Sequence, residues 1–263
     1  MKSLLLAMLV GLLMVGCGEE AQEEAVQEDE AKNDNAGPLG GNFTVPDLNL
    51  TMLWVKAGTF MMGDKGKQHQ VTLTKGFYLG KHEVTQAQWE RVMGNNPSYF
   101  KGADRPVEEV SWIDAVAFCK KLTKMERRAG RLPAGMAYQL PTEAQWEYAC
   151  RAGTTTKYSW GGSINLSNAN YDENVDETTP VGKYPANPWG FHDMHGNVWE
   201  WVADLYGTYP AGPVTDPTGL ASGSYRVRRG GSLYTGGTYL RSAKRSNRPP
   251  SPRYRNLGFR VGL

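Results

Sequence analysis

His195-Gly196-Asn197-Val198-Trp199-Glu200-Trp201 is the stretch on which the fold turns. Trp199 and Trp201 flank Glu200 at strand-like alternation, which sends the two indoles to one side and the carboxylate to the other. Upstream, Leu140-Pro141-Thr142-Glu143-Ala144-Gln145-Trp146 carries a capping box at Thr142 and Gln145, which predicts a helix ending near Gly153. Thr85 to Met93 reads as a short amphipathic helix capped by Thr85. Ser111 to Lys124 is the longest helix, with Trp112, Ala115, Val116, Phe118, Cys119 and Leu122 as its apolar stripe. Strands are expected at Leu53–Val55, Phe60–Gly63, Gln70–Leu73, Phe77–Glu83 and Phe259–Val261. Between the third helix and Asn197 the chain is Gly/Asn/Pro-rich without periodicity, a length of loop that is functional or pinned, for which a bound cation would serve.

Outward from this core the composition changes. Leu4 to Val15 is an apolar run after Lys2, shorter than the roughly 20 residues of a membrane-spanning helix. It has the length of a signal-peptide core, and Gly16-Cys17 places a small residue before a cysteine, as lipoprotein processing sites do. The expectation is a signal peptide over 1–16 and a lipidated Cys17. A disordered acidic tether then reaches residue 44, and one domain covers 45–263. Glu19 to Asp34 holds eight acidic residues, one lysine and no aromatic residue, too little apolar surface to order itself. Gly18 after the anchor points to the outer membrane where a cell has one. The whole chain carries +2, so the domain itself is basic, and Ala221 to Leu263 contains no Asp or Glu. A nucleic-acid surface would use such a charge. Export argues against it, and the arginines in Arg229-Gly230-Gly231 and Gly258-Phe259-Arg260 read as structural.

The motifs together resemble the formylglycine-generating enzymes and sulfatase-modifying factors. The similarity runs from Leu53-Trp54-Val55-Lys56-Ala57-Gly58-Thr59-Phe60 through Lys81-His82-Glu83-Val84-Thr85 and Pro106-Val107-Glu108-Glu109-Val110-Ser111-Trp112. The segments quoted above, Arg229-Gly230-Gly231-Ser232, Arg241-Ser242-Ala243 and Asn256-Leu257-Gly258-Phe259-Arg260 complete it. This resemblance implies a single irregular α+β domain of the variant C-type-lectin fold, with little regular secondary structure. In catalytic members two cysteines after Arg-Gly-Gly-Ser bind copper(I), for which soft thiolates are selective. Here those positions fall near Thr235 and Leu240, and no cysteine follows Cys150, so copper is not expected. His192 and His195 lie three apart beside Asp193, which is too few ligands for a metal centre of their own.

The resemblance also implies calcium. Asp193 and Glu200 would supply side-chain oxygens, with the carbonyls of Gly196 and Val198; a second site would lie at Asn170, Tyr171, Glu173 and Val175. Hard oxygen ligands on irregular loops suit this ion. In disulfide-bearing members the positions of Cys119 and Cys150 pair with C-terminal cysteines, which are replaced here; export permits a bond between the two, but both fall on apolar helix faces, where buried free thiols are the default expectation. Two functions stay open. One is a lipid-anchored binding or accessory module for an extracytoplasmic protein, peptide or glycan. Its groove would be lined by Trp199, Ser232, Tyr234, Thr235 and Tyr239, with Leu233, Asn247, Arg248 and Tyr254 exposed beside it. The other is an enzyme of the same family with a cysteine-independent mechanism.

Overall fold

The computed structural model describes residues 37–263; the expected signal segment, Cys17 and the acidic stretch lie outside the described residues. Three small sheets and three helices share the described chain with long irregular connections. The first sheet orders β1 (Phe43–Val45), β2 (Leu50–Val55) and β5 (Phe77–Gly80); the second joins β3 (Gly58–Met62), β4 (His69–Leu73) and β7 (Val214–Thr215). The third runs β10 (Leu257–Phe259), β6 (Trp199–Leu205), β8 (Arg226–Arg229) and β9 (Arg245–Arg248). The boundary expected at residue 44 falls inside β1, and Leu39 and Phe43 already pack on the core.

The helices form where the capping signals lie. Helices α1 (Gln86–Met93), α2 (Trp112–Arg128) and α3 (Glu143–Arg151) each begin after a Thr or Ser whose hydroxyl accepts the N3 amide, and each N3 side chain returns a bond to the cap. Helix α2 runs four residues past the expected Lys124 and ends before Gly130. Phe118 stacks on Trp89 of α1 at 5.6 Å and meets Phe259 of β10 edge-on at 5.4 Å. One core thereby binds α1, α2 and one face of the third sheet. The other face of that sheet meets α3 through Trp146, Val202 and Val227. Trp146, Trp199 and Trp201 are fully buried, as core residues should be. Trp112 is instead half-buried, with its indole N–H donated to the Val202 carbonyl at 2.8 Å.

The chain from residue 152 to 198 contains neither helix nor strand, and hydrogen bonds pin it. His195 Nδ1 lies 2.6 Å from the Leu240 carbonyl oxygen, Gly182 donates to Asp193 at 2.7 Å, and Asn170 Nδ2 donates to the Glu177 carbonyl at 2.9 Å. Cys119 and Cys150 are both free and buried.

Candidate functional site

The loop that opens the signature is latched by a buried carboxylate from the turn that follows β5. Glu83 accepts from the Asn197 side chain at 2.8 Å and from the Val198 amide at 3.2 Å. Asn197 sits at φ 58°, Asp193 at φ 57° and Gly196 at φ 107°. A Cβ on Gly196 would lie 2.5 Å from the Asn170 carbonyl, so this position needs glycine twice over, for its backbone and for the contact. Behind the loop Arg260 clamps Glu200 through two bonds of 2.7 Å, and Trp146 Nε1 adds a third donor at 2.8 Å. Burial, with Asp193 and Glu200 close by, pushes the Glu83 carboxyl well above its ordinary range; burial, with the charge of Glu200 adding to it, takes Asp193 up to about 6.

These contacts bear on calcium. The carbonyl oxygens of Gly196 and Val198 accept no hydrogen bond among the described residues, which leaves them open to a cation. Glu200 already accepts three donors on two oxygens and has little capacity left. At the second loop Asn170 Oδ1 is sealed from solvent with no donor, the kind of orphan acceptor an ion would satisfy. The Tyr171 carbonyl accepts from Asn174 at 3.1 Å, Glu173 is exposed and Val175 half-buried. Among the described residues no three His, Cys, Asp or Glu side chains converge as a metal cluster. His192 stacks with His82 at 4.9 Å, whereas His195 is buried against Trp160 at 4.7 Å.

The segment where the resemblance places two cysteines is a closed turn. Thr235 Oγ1 accepts from the Ser232 amide and donates to the Ser232 carbonyl, both at 2.9 Å, and Leu240 is fully buried. Neither position carries a group that could bind a soft metal. His195 Nε2 lies 3.6 Å from Cys150 Sγ. Burial pushes that thiol up to about 12 and that imidazole down to about 4, so the pair rests as thiol and neutral ring, not as an ion pair.

Several expected groove residues are interior. Trp199 is 1% exposed, beneath the guanidinium of Arg228 at 4.5 Å and beside β10. Ser232 and Leu233 are fully buried; the Ser232 hydroxyl accepts from Asn256 at 3.0 Å. What remains at the surface are Tyr234, Thr235 and Tyr239, with Asn247, Arg248 and Tyr254 further along. Arg255 stacks between Tyr234 at 4.8 Å and Tyr99 at 5.5 Å, and Arg248 lies over Tyr254 at 5.4 Å. Tyr99 and Arg255 were not legible as site residues, because their pairing depends on a loop remote in sequence.

A cavity of about 610 Å³ lies on the far side of α3, under the loop that joins β6 to β8. Asp204 lines it and accepts from the Glu143 amide at 2.7 Å; burial and neighbouring Glu143 push its carboxyl up to about 7. Tyr209 donates to Glu143 at 3.0 Å, and Arg245 forks onto the same carboxylate at 2.9 and 2.6 Å. No motif signals this cavity, since its walls come from β4, α3, β6, β9 and an irregular loop.

Known proteins place the architecture. Residues 43–262 match the family described as sulfatase-modifying factor enzyme 1-like domain. The chain is 30% identical over 242 residues to the chaperone protein LppX of Paenibacillus barcinonensis, covering 75% of this chain and 82% of that protein. It is 32% identical over 211 residues to the mouse (Mus musculus) formylglycine-generating enzyme, covering 73% of this chain but only 52% of the enzyme. Among solved structures, Treponema denticola variable protein 1 superposes with a TM-score of 0.76 at 32% identity, over 84% of this chain and 98% of that one. A match across nearly every described residue, in sequence and in three dimensions, puts this chain in the sulfatase-modifying factor family.

Proposed function

We propose that the chain is an envelope-anchored accessory module that holds an extracytoplasmic protein, peptide or glycan and does not oxidise cysteine to formylglycine. The observation that carries this reading is the turn from Ser232 to Leu240, where a threonine hydroxyl closes on its own backbone and a leucine fills the interior. Copper(I) needs two soft ligands, and nothing on this turn supplies one. The likeness to a protein named as a chaperone supports a role in handling another protein. The test incubates the chain with copper, oxygen, reductant and a sulfatase-motif peptide, and reads the peptide by mass spectrometry. No aldehyde is expected; aldehyde above the enzyme-free control overturns the reading. The alternative, an enzyme of cysteine-independent mechanism, is favoured by a single feature: the titratable Asp204 carboxyl in the cavity.

The anchor is Cys17, supported by the apolar run and the small-Cys junction, with the outer membrane as the expected site. Cys17→Ala should free the protein from membranes; unchanged partitioning and mass would refute lipidation. Calcium is the proposed cofactor. Its support is the orphan Asn170 Oδ1 in the loop that carries Tyr171, Glu173 and Val175, and the carbonyls of Gly196 and Val198 in the loop of Asp193, which accept no hydrogen bond among the described residues. Glu200 would join only by sharing its carboxylate with Arg260. A chelator should lower the melting temperature, because an ion bound only by the folded state stabilises it. An unmoved melting curve in calcium-free protein would remove the assignment.

A further inference from the structure

Eight of the fifteen arginines among the described residues pair with carboxylates. Arg105, Arg131, Arg151, Arg229, Arg241, Arg245, Arg253 and Arg260 each form an ion pair. Among the described residues Arg91, Arg127, Arg128, Arg226, Arg228, Arg248 and Arg255 form none, and three of these, Arg226, Arg228 and Arg248, share one face of the β8–β9 ladder. Arg226 and Arg228 are two residues apart on β8, so their side chains leave the same side. Arg248 is the direct cross-strand partner of Arg226. Like charges placed opposite on a ladder are destabilising, so three unpaired cations here need a reason.

Each guanidinium rests on a ring instead of an acid. Arg226 covers Trp112 at 3.7 Å, Arg228 covers Trp199 at 4.5 Å and Arg248 covers Tyr254 at 5.4 Å. Stacking holds the plane of an arginine while leaving its hydrogen-bonding edge available; Arg226 spends part of that edge on the Ala203 carbonyl, to which Nη1 donates at 2.7 Å. Arg228 is the decisive member. The residue is only 7% exposed, yet its sole hydrogen bond is a long one from Nε to the Ser246 hydroxyl at 3.4 Å. Neither terminal nitrogen has a partner, and neither is among the sealed polar atoms, so both open to the surface. Burial, reinforced by the charge of Arg248, lowers the Arg228 guanidinium to about 10. Glu109, tied to the Tyr254 carbonyl by its backbone amide at 3.0 Å, forms no ion pair with the three among the described residues. A half-sealed cation without a counter-ion is costly, and a carboxylate arriving from outside would relieve it.

We infer that this face binds an acidic peptide segment of a partner protein in extended conformation, with Arg228 as the main carboxylate fork and the cross-strand pair Arg226 and Arg248 beside it. The spacing selects this occupant. Alternate residues of a strand are about 7 Å apart, which is the separation of Arg226 from Arg228 along β8 and of alternate acidic side chains along an extended peptide. A single phosphate would satisfy one guanidinium and leave the others repelling. The inference rests on the reading of the chain as a binding module and names the chemistry of its ligand.

The test measures fluorescence anisotropy of a labelled peptide with aspartate at every second position, titrated with the purified full-length chain at low salt. A twin peptide with asparagine, inorganic phosphate and anionic lipid vesicles are run in parallel. Saturable binding of the aspartate peptide is expected, weakened about tenfold by Arg248→Gln and at least as much by Arg228→Gln, and weakened again by added salt. Circular dichroism of both variants checks that they are folded. Absence of binding, equal binding of the asparagine twin, or insensitivity to Arg248→Gln overturns the inference, as does binding of vesicles or phosphate alone. Binding of the asparagine twin that Tyr239→Ala abolishes would overturn the acidic ligand while leaving the binding module standing. Aldehyde production in the oxidase assay would instead remove the module reading itself.

Discussion

Arg228 and Arg229 are consecutive on β8, and the pleat sends them to opposite fates. Arg229 turns toward α3, is fully buried, pairs with Glu147 and lies 3.7 Å from Glu143. Trp146 stands 5.2 Å from its guanidinium, and its Nη2 also donates to the Ser242 carbonyl at 3.0 Å. Arg228 turns the other way, meets the Trp199 ring, and finds no carboxylate. The same split separates Arg260, clamped on Glu200, from Arg248 on Tyr254. Arginines that cross-link the interior come with acids supplied by the chain. Those on the β8–β9 face are held in place by aromatic rings and leave their acid to be supplied from outside.

Breaking an interior pair should have the largest effect. Arg229→Ala leaves Glu147 buried beside Arg151 alone, and Arg260→Ala strips Glu200 of its clamp; each should cost about 3–5 kcal/mol, read from urea unfolding. A midpoint within error of the parent would show that the buried pairs are dispensable.

The carboxylates sharpen the same contrast at smaller magnitude. Glu147 is matched by arginines, whereas Asp204 is buried without an ion pair, and its carboxyl rises from 3.8 to about 7. A folded-state value above the unfolded one means that the native protein holds this proton more tightly. The stabilisation is complete below about pH 4 and is lost as pH rises through 7. Asp204→Asn, which keeps an acceptor for the Glu143 amide, should therefore match the parent at pH 4. At pH 8 it should exceed the parent by about 1–3 kcal/mol. Equal stability of the two proteins at pH 8 would mean that Asp204 is ionised at no cost. On the exposed face, Arg248→Gln should move stability by less than about 0.5 kcal/mol.

The helices were legible because their signals are local: Thr85 and Thr142 cap where their sequences say, Gln145 closes the expected box, and Ser111 at the expected helix start proves to be a cap, with Gln88 and Asp114 closing two further boxes. Strands were less so. Phe77 onward holds its ladder only to Gly80, since Lys81 to Glu83 turn away to latch the signature loop, and the last strand is Leu257–Phe259, two residues before the expected start. Arg226–Arg229 and Arg245–Arg248 carry no apolar alternation, so neither could be read as a strand; β6 and the rings beneath them hold them in the sheet. The site was half legible. The loss of both sulfur positions can be read directly from Thr235 and Leu240. The burial of Ser232 and Leu233 cannot, because Asn256, Asn197 and Glu173 bond to them from distant parts of the chain. Nor does composition separate Arg228 from Arg229, although one faces acids and the other none.

The most direct test sets these two neighbours side by side: urea unfolding and anisotropy with the aspartate peptide, for Arg229→Gln and Arg228→Gln. The expected result is that Arg229→Gln loses several kcal/mol of stability. Arg228→Gln should stay within about 1 kcal/mol of the parent while losing most of its peptide affinity. An Arg228→Gln protein that unfolds as readily as Arg229→Gln, or that keeps the parent's affinity, would contradict the division of the arginines into structural and ligand-binding sets.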